Sequence, residues 1–218
     1  RVPSRRDVLP AMRWLARQPE VMWIEVEAQR KSNMLHANQV MQQAFPSSAD
    51  NSSGTFANRR NAVIWARGIQ GEGQVLGVAD TGLDMSHCMF SGSGVLVRDG
   101  SVQPTMRKVV GYIPVADTQE VTINGTFNGH GTAVAAVMLG SPTDTTSEAY
   151  TYRGAAPLAK LVMADIQDAQ GEFVIRDDLY PLYDQIYATG VRINADAWGS
   201  PGNFYSAAAR SLDQFAFD

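Results

Sequence analysis

The sequence lacks several features that would assign it to a specialised class of protein. Its 218 residues include one cysteine, Cys88, which excludes an internal disulfide framework and a thiolate-rich metal site. Charged residues make up 18% of the chain and the formal net charge is −4, so the basic excess that binds nucleic acid is absent. No run approaches the roughly 18 apolar residues of a membrane-spanning helix. We therefore expect contact with neither nucleic acid nor a membrane.

The sequence does contain enough apolar residues for a core. Hydrophobic residues make up 44% of the chain, which argues against intrinsic disorder. The length predicts one domain, or one domain of about 150 residues with a smaller appendage. Residues 46–54 are rich in proline, serine, asparagine and glycine, a composition typical of a linker. A boundary is therefore predicted near Asp50, between a unit at residues 1–50 and a larger one at residues 51–218.

The two units have different sequence patterns. Apolar residues recur at helical spacing over residues 5–17, and residues 21–27 are rich in branched and aromatic side chains, so the first unit is predicted to be a small α+β segment. In the second unit, short apolar strands alternate with helices, which is typical of an α/β fold with a mostly parallel sheet. The predicted strands are residues 74–79, 160–164 and 191–195, and the predicted helices are residues 133–139, 179–189 and those from 206 onward.

Two residues of the second unit are candidates for acid–base chemistry. Asp80 directly follows the first predicted strand, and functional groups gather at the carboxyl ends of parallel strands. His130 stands between Gly129 and Gly131 at the start of a predicted helix, where the helix dipole favours the neutral imidazole that a base requires. Each residue alone is also typical of a turn or a helix cap. The catalytic hypothesis therefore depends on their combination.

The two residues and their flanking sequences together resemble motifs of one known family. Residues 78–84 (Val-Ala-Asp-Thr-Gly-Leu-Asp) and 129–135 (Gly-His-Gly-Thr-Ala-Val-Ala) closely resemble the aspartate and histidine motifs of the subtilisin-like serine peptidases, peptidase family S8. Residues 153–161 resemble the family's Gly-x-Ala-Pro-x-Ala-x-Leu passage, and residues 197–200 its Ser-Trp-Gly substrate-binding segment. The order of aspartate before histidine also agrees with subtilisin. The resemblance implies a three-layer subtilisin-like fold, truncated here before its C-terminal part.

The resemblance also implies a mechanism. Asp80 would orient His130, and His130 would take a proton from a serine hydroxyl that attacks a peptide bond. Ala197, Trp198 and Gly199 would bind the substrate backbone as an added strand. The expected activity is that of a serine endopeptidase, and the expected partner is a protein or peptide substrate.

The family's nucleophile motif, Gly-Thr-Ser-Met-Ala-x-Pro, does not occur in the sequence, and neither does its Ala-Gly-Asn oxyanion segment. In the family both follow the Ser-Trp-Gly region. We therefore expect the triad serine beyond residue 218, and these residues alone to be inactive. Ser93 and Ser200 lack a strand-to-helix elbow and are not expected to replace it. Residues 21–25 resemble the end of an inhibitory propeptide, so residues 1–50 are expected to be a propeptide remnant and linker, which would make the protein's own propeptide a partner.

Metal binding is the remaining sequence question. Met89 occupies a position where many family members carry a calcium-binding aspartate, and a thioether is a poor ligand for that hard cation. Calcium is therefore not expected at this position, calcium at another position stays open, and no other cofactor is predicted. His87, together with Asp80 and His130, leaves a metal-dependent hydrolase as an alternative.

A second alternative is a non-catalytic subtilisin-like protein that binds peptides or partners along the Trp198 edge. The cellular location is predicted mainly from the family, whose members are often secreted or membrane-attached, in extracellular or endolysosomal compartments. Two N-glycosylation triplets, at Asn51 and Asn124, agree with such a route.

Overall fold

The computed structural model describes residues 5–21, 24, 31–32, 63–92, 94, 96–117, 122–123, 126–127, 129–200 and 204–218. Within them the helices are α1 (Arg5–Leu15), α2 (Val63–Ala66), α3 (His130–Leu139), α4 (Tyr180–Ala188) and α5 (Ala207–Phe217), with a 3-10 helix at Glu148–Tyr152. The strands are β1 (Lys31–Ser32), β2 (Val75–Asp80), β3 (Val109–Pro114), β4 (Thr122–Ile123), β5 (Thr126–Phe127), β6 (Lys160–Asp165), β7 (Ile193–Ala195) and β8 (Trp198–Gly199).

Four of these strands form a parallel sheet in the order β3-β6-β2-β7. β2 and β6 pair along their whole length, from Val75 opposite Lys160 to Asp80 opposite Asp165. Two further pairs, β1 with β8 and β4 with β5, are antiparallel. The prediction of an α/β fold with a mostly parallel sheet is confirmed.

Helices cover both faces of this sheet. One face forms a buried cluster with α3, whose members include Val78, Tyr112, Met163, Val134 and Leu139. The other face forms a cluster with α4 and α5, whose members include Ala79, Val162, Leu182, Ile186 and Phe215. Because side chains of a strand alternate between faces, Asp80 lies on the same face as Val78, toward α3. The three-layer arrangement thus points the last residue of β2 at the helix that begins with His130.

The α4–α5 layer is connected by a serine side chain. Ser206 caps α5, where its side chain accepts a hydrogen bond from the Ala209 amide. On the same helix, the buried Ser211 hydroxyl accepts hydrogen bonds from the amides of Leu179 (2.9 Å) and Tyr180 (2.8 Å). The first turn of a helix has amides without intrahelical partners, so Ser211 satisfies two of them for α4 and fixes α5 against it.

Most predicted elements agree with the structure, with differences at their ends. The helix predicted at residues 133–139 begins earlier, at His130, and the strand predicted at residues 191–195 is confined to Ile193–Ala195. The helix predicted at residues 5–17 is α1. The strand predicted at residues 21–27 lies outside the described residues except for Val21 and Ile24, as does the whole linker predicted at residues 46–54.

One strand of the parallel sheet was not predicted. β3 is buried over all of its residues except Pro114 and occupies one edge of the sheet. Its sequence includes Gly111 and ends at Pro114, and both residue types are depleted in strands. An edge position tolerates proline, and an irregularity in the register between Val109 and Gly111 accommodates the glycine. Among the described residues, no helix is both long and apolar enough to cross a membrane.

Candidate active site

Asp80 and His130 lie side by side where β2 ends and α3 begins. The distance between Asp80 Oδ1 and His130 Nδ1 is 2.6 Å, which is within hydrogen-bond range. The Asp80 side chain is 1% exposed and the His130 side chain is 10% exposed. The two residues that the sequence proposed as a catalytic pair are therefore in direct contact, although they are distant from each other along the chain.

Glycines on both sides of His130 permit this contact. Gly129, at the N-cap of α3, has a φ of 65°, a left-handed conformation that glycine adopts without steric cost. A Cβ added at Gly131 would overlap the Gly82 carbonyl oxygen and lie 3.2 Å from the Cβ of Asp80. The first turn of α3 can therefore approach the end of β2 only because residue 131 has no side chain.

Two threonines connect the Asp80 loop to the first turn of α3. The Thr81 hydroxyl accepts a hydrogen bond from the Gly131 amide (2.8 Å), and the Thr132 hydroxyl accepts one from the Asp84 amide (2.8 Å). Both hydrogen bonds join the two motifs. The donor of the first belongs to the His130 motif and the donor of the second to the Asp80 motif. Together they fix the position of the imidazole relative to the carboxylate, a role that the sequence analysis did not assign to either threonine.

The hydrogen bonds at Asp80 determine the tautomer of His130. A carboxylate only accepts hydrogen bonds, so the His130 Nδ1 at 2.6 Å carries the proton and donates it. The Thr81 amide donates to the same oxygen at 2.8 Å. With Nδ1 protonated, the neutral imidazole has its lone pair on Nε2, which is the atom that a general base uses. The other carboxylate oxygen, Oδ2, is buried and makes no hydrogen bond to the described residues.

A second buried carboxylate lies beside the first. Asp165, the last residue of β6, is the register partner of Asp80 and is fully buried. Its Oδ2 accepts a hydrogen bond from the Tyr112 hydroxyl (2.8 Å). Burial, followed by the negative charge of Asp165, raises the pKa of Tyr112, so the phenol stays protonated as the donor. The sequence analysis missed Asp165, although the same rule that found Asp80, an acid directly after a buried strand, also applies to it.

The predicted substrate-binding residues lie next to this pair. Ala197, Trp198 and Gly199 are half-buried, and the last two form β8. The Trp198 indole Nε1 donates a hydrogen bond to the carbonyl oxygen of Ala79 (2.9 Å), the residue that precedes Asp80. Trp198 is therefore held against the end of β2, and its backbone lies at the edge where the sequence analysis expected an extended peptide to bind.

β8 already has a strand partner within this chain. Lys31 lies opposite Gly199 and Ser32 opposite Trp198, in an antiparallel pair. Phe173 packs against another side of Trp198, with ring centroids 6.1 Å apart. Phe173 belongs to a short hairpin that turns near Gly171, and Gly171 has a φ of 83°. The edge thus binds backbone from the N-terminal part of the chain, with an aromatic wall alongside.

His87, the third residue of the metal-hydrolase alternative, has a local role. Its Nδ1 accepts a hydrogen bond from the Met89 amide (3.3 Å), and its ring lies 6.2 Å from that of Phe90. The described part of the chain contains no group of three or more histidine, cysteine or acidic residues placed to hold a metal ion. Nothing in the described geometry therefore favours the metal-dependent alternative.

Comparison with protein families assigns the chain to a class. The model of the subtilase family, Peptidase_S8, matches residues 71–217. The chain therefore belongs to the subtilase family of serine peptidases. The matched residues include the Asp80–His130 pair and β8, and they begin after the N-terminal segment that provides β1.

Individual relatives agree with the family assignment. Three of them are serine protease/ABC transporter B family proteins of Dictyostelium discoideum. tagB is 35% identical over 69% of this chain, tagD is 33% identical over 94%, and tagA is 29% identical over 91%. The aligned part makes up only 8%, 11% and 10% of these relatives, respectively, so the chain spans about a tenth of their length.

Proposed function

We propose that this chain is part of a serine endopeptidase that hydrolyses peptide bonds through a triad of Asp80, His130 and a serine that lies outside residues 1–218. The observation that carries the proposal is the 2.6 Å contact between the Asp80 carboxylate and His130 Nδ1 at the carboxyl end of a parallel strand. Membership of the subtilase family supports it, as does the term serine protease in the names of the relatives.

In the proposed mechanism His130 moves protons and Asp80 holds it in place. Nε2 takes the proton of the serine hydroxyl as its oxygen attacks the substrate carbonyl carbon, and then gives that proton to the departing amine. Water next attacks the acyl-enzyme, again losing a proton to Nε2, and the serine oxygen leaves with that proton. Asp80 stays ionised and stabilises the imidazolium that forms in each half of the reaction.

The β8 edge is the proposed substrate-binding strand. An extended peptide would pair with Trp198 and Gly199 through main-chain hydrogen bonds, which give affinity with little dependence on side chains. Because β1 occupies this edge, we propose that the segment before residue 50 acts as the protein's own propeptide and blocks substrate until it leaves.

The decisive experiment uses the full-length gene product that contains this segment. A serine-directed fluorophosphonate is expected to label it covalently, and a metal chelator is expected to leave labelling unchanged. His130→Ala should abolish labelling because the serine loses its base. His87→Ala provides the matched control and should be labelled at the wild-type rate, since the contacts of this histidine among the described residues are to its own loop. Labelling that persists in His130→Ala would contradict the proposed triad.

The non-catalytic alternative makes the opposite prediction. A subtilisin-like protein that only binds peptides along the Trp198 edge would bind a substrate peptide but fail to react with the fluorophosphonate in the full-length form. The intact hydrogen bonding of Asp80 and His130 favours the catalytic proposal, because a protein that only binds peptides has no need for a buried, positioned base.

A secretory or membrane-attached location, extracellular or endolysosomal, is also proposed, with support from the family assignment and the triplets at Asn51 and Asn124. Treatment of the purified full-length protein with an endoglycosidase should reduce its apparent mass. Asn51→Gln combined with Asn124→Gln should remove that reduction if these are the modified positions. A protein whose mass is unaffected by the endoglycosidase would argue against this route.

A further inference from the structure

Two loops converge on one guanidinium group, that of Arg107. The Arg107 Nε donates a hydrogen bond to the Ser91 carbonyl oxygen (2.9 Å), and Nη2 donates to the carbonyl oxygens of Ser91 (2.6 Å) and Met89 (3.3 Å). Nη1 donates to the Ser141 carbonyl oxygen (2.7 Å). These hydrogen bonds connect one side chain to backbone carbonyls from two other segments of the chain.

Each of these two segments follows an element that contains one residue of the candidate catalytic pair. Met89 and Ser91 lie in the loop that follows Asp80, and Ser141 lies in the loop that follows α3, the helix that begins at His130. The loops are also joined directly, because the Ser141 amide donates to the Met89 carbonyl oxygen at 3.1 Å. Arg107 therefore crosslinks the loop after β2 to the loop after α3, from a third position just before β3.

Many family members carry a calcium-binding aspartate at the position of Met89, so calcium is a candidate ligand for this junction. Calcium takes six to eight oxygen ligands, including carboxylates. Met89 is buried and offers a thioether, and the carbonyl oxygens that converge beside it already accept hydrogen bonds from Arg107. A guanidinium among these oxygens also repels a second cation. The residues at this junction do not fit calcium.

We propose that Arg107 is the resident cation of this junction and replaces, as part of the chain, the calcium ion that many family members bind at the position of Met89. Carbonyl oxygens that converge from separate loops need a positive partner, and a guanidinium offers five N–H donors in a rigid planar fork. Gly92 leaves room for the side chain, since a Cβ there would lie 3.2 Å from Arg107 Nε. The crosslink between the loop after β2 and the loop after α3 is then independent of the calcium concentration.

The first test is the thermal midpoint of Arg107→Met, measured by circular dichroism on the protein in chelator and in millimolar calcium. Loss of hydrogen bonds from a charged donor should lower the midpoint by about 5 °C or more, equally in both buffers. Arg67→Met, a substitution of an exposed arginine, is the matched control and should change it little. Arg107→Lys keeps the charge but not the fork, so an intermediate loss is expected, and this variant provides the comparison if Arg107→Met does not fold.

Two results of that test would overturn the proposal. One is an Arg107 variant as stable as Arg67→Met, which would mean that the guanidinium does not hold the junction. The other is a wild-type protein whose midpoint falls in chelator while that of the Arg107 variant does not, since calcium would then stabilise the wild-type junction.

A second test asks whether calcium can take the place of the Arg107 guanidinium at this junction. Met89→Asp alone introduces a carboxylate beside Arg107, which should pair with the guanidinium and give no calcium response. Met89→Asp with Arg107→Ala frees the carbonyl oxygens while keeping the carboxylate. The rise in midpoint on adding calcium should therefore be larger in the double variant than in the single one. Equal rises in the two variants would contradict the assignment of Arg107 as the resident cation.

Discussion

Asp80 is a fully buried carboxylate, and a buried charge is costly unless hydrogen bonds compensate for lost hydration. Its Oδ1 receives two of them, from the Thr81 amide and from His130 Nδ1. Because a carboxylate cannot donate, this arrangement selects a single tautomer of His130. An amide at position 80 would present both a donor and an acceptor and would lose that selectivity without a change of shape.

Asp80→Asn tests this role at residue scale. In the full-length protein we expect kcat/KM on a peptide substrate to fall by about 10⁴, the magnitude known for an asparagine that leaves the geometry intact but stabilises the wrong tautomer. The thermal midpoint should change far less than activity. Asp84→Asn, whose carboxylate accepts hydrogen bonds from Ser86, is the control and should retain most activity. Comparable loss in both variants would point to general disruption of the loop.

Lys108 makes the free energy of unfolding depend on pH. It is buried, and its Nζ donates to the carbonyl oxygens of Pro157 (2.8 Å) and Ala159 (2.7 Å). Burial, with a further contribution from the charge of Arg107, lowers the pKa of Lys108 from 10.5 to about 7. Between these values the unfolded chain binds more protons than the folded one, so this lysine makes the free energy of unfolding rise with pH.

Lys108→Met should therefore remove part of the pH dependence of stability. We expect the free energy of unfolding of the wild type, relative to the variant, to increase as the pH rises from about 7 to about 10 and to be constant below about 6. Denaturant titrations at several pH values would measure it. Arg67→Met, which removes an exposed arginine, should give a constant difference. A pH-independent difference for Lys108→Met would refute the lowered pKa.

Asp80 and His130 were predicted together, because an acid directly after an apolar strand and a histidine between glycines at a helix start resemble two motifs of one family. Arg107 was not predictable. Its partners are backbone carbonyls in distant parts of the chain, at Ser91 and Ser141, and a carbonyl has no sequence signature. Residues whose role depends on distant backbone positions require the fold to be known first.

At the scale of elements, the closeness of α3 to the sheet is the feature that assembles the site. Gly131 contacts the end of β2 on the side that carries Asp80, and Gly154 has equally little room, since a Cβ there would lie 2.6 Å from the Ala136 carbonyl oxygen. One glycine thus permits close packing at the start of α3, and the other at its end. α3 can pack this closely because neither glycine has a side chain.

Gly131→Ala should separate the helix from β2. The added methyl group would overlap the Gly82 carbonyl oxygen and lie 3.1 Å from Met163 Cε, and such overpacking typically costs about 1–3 kcal/mol. We expect a lower thermal midpoint and, in the full-length protein, a loss of activity greater than the loss of stability explains. Val137→Ala on the more exposed side of α3 is the control. A Gly131→Ala protein with wild-type activity would show that the close approach is dispensable.

The elements themselves were predictable to different degrees. β2 and β6 were predicted nearly in full, because buried parallel strands are short runs of apolar residues. β3 was missed since Gly111 and Pro114 interrupt the apolar pattern, and only its edge position makes them acceptable. α3 begins at His130 rather than at residue 133 because tertiary hydrogen bonds from Gly131 to Thr81 and from Asp84 to Thr132 extend the helix beyond its apolar run.

At the scale of the whole molecule, the N-terminal segment and the subtilase domain meet at β1 and β8. Lys31 and Ser32 pair with the strand proposed to bind substrate. The contact is between backbones, so its strength depends on main-chain amides rather than on the identity of the two side chains.

Lys31→Pro with Ser32→Pro removes both amides of β1, one of which faces β8, because hydrogen-bonded and non-hydrogen-bonded pairs alternate along an antiparallel ladder. If the segment acts as a propeptide, unprocessed full-length protein carrying the two prolines should hydrolyse a peptide substrate about fivefold faster than the unprocessed wild type, because the lost hydrogen bond weakens inhibition by about 1 kcal/mol. Glu20→Pro, in the same segment but outside β1, serves as the control and should leave inhibition intact. Equal rates in all three proteins would exclude inhibition through β1.

The strand order β3-β6-β2-β7 has a consequence for synthesis on the ribosome. β2 and β3 are made first, but neither is the other's neighbour, because β6 inserts between them. Until residues 160–165 emerge, both strands have unpaired amides and carbonyls along their edges and apolar faces without a partner, which is the condition under which nascent chains aggregate. β6, one of the two inner strands of the sheet, is thus synthesised after both of its neighbours. Chaperones that protect the chain until β6 emerges should determine how much of this protein a cell recovers in folded form.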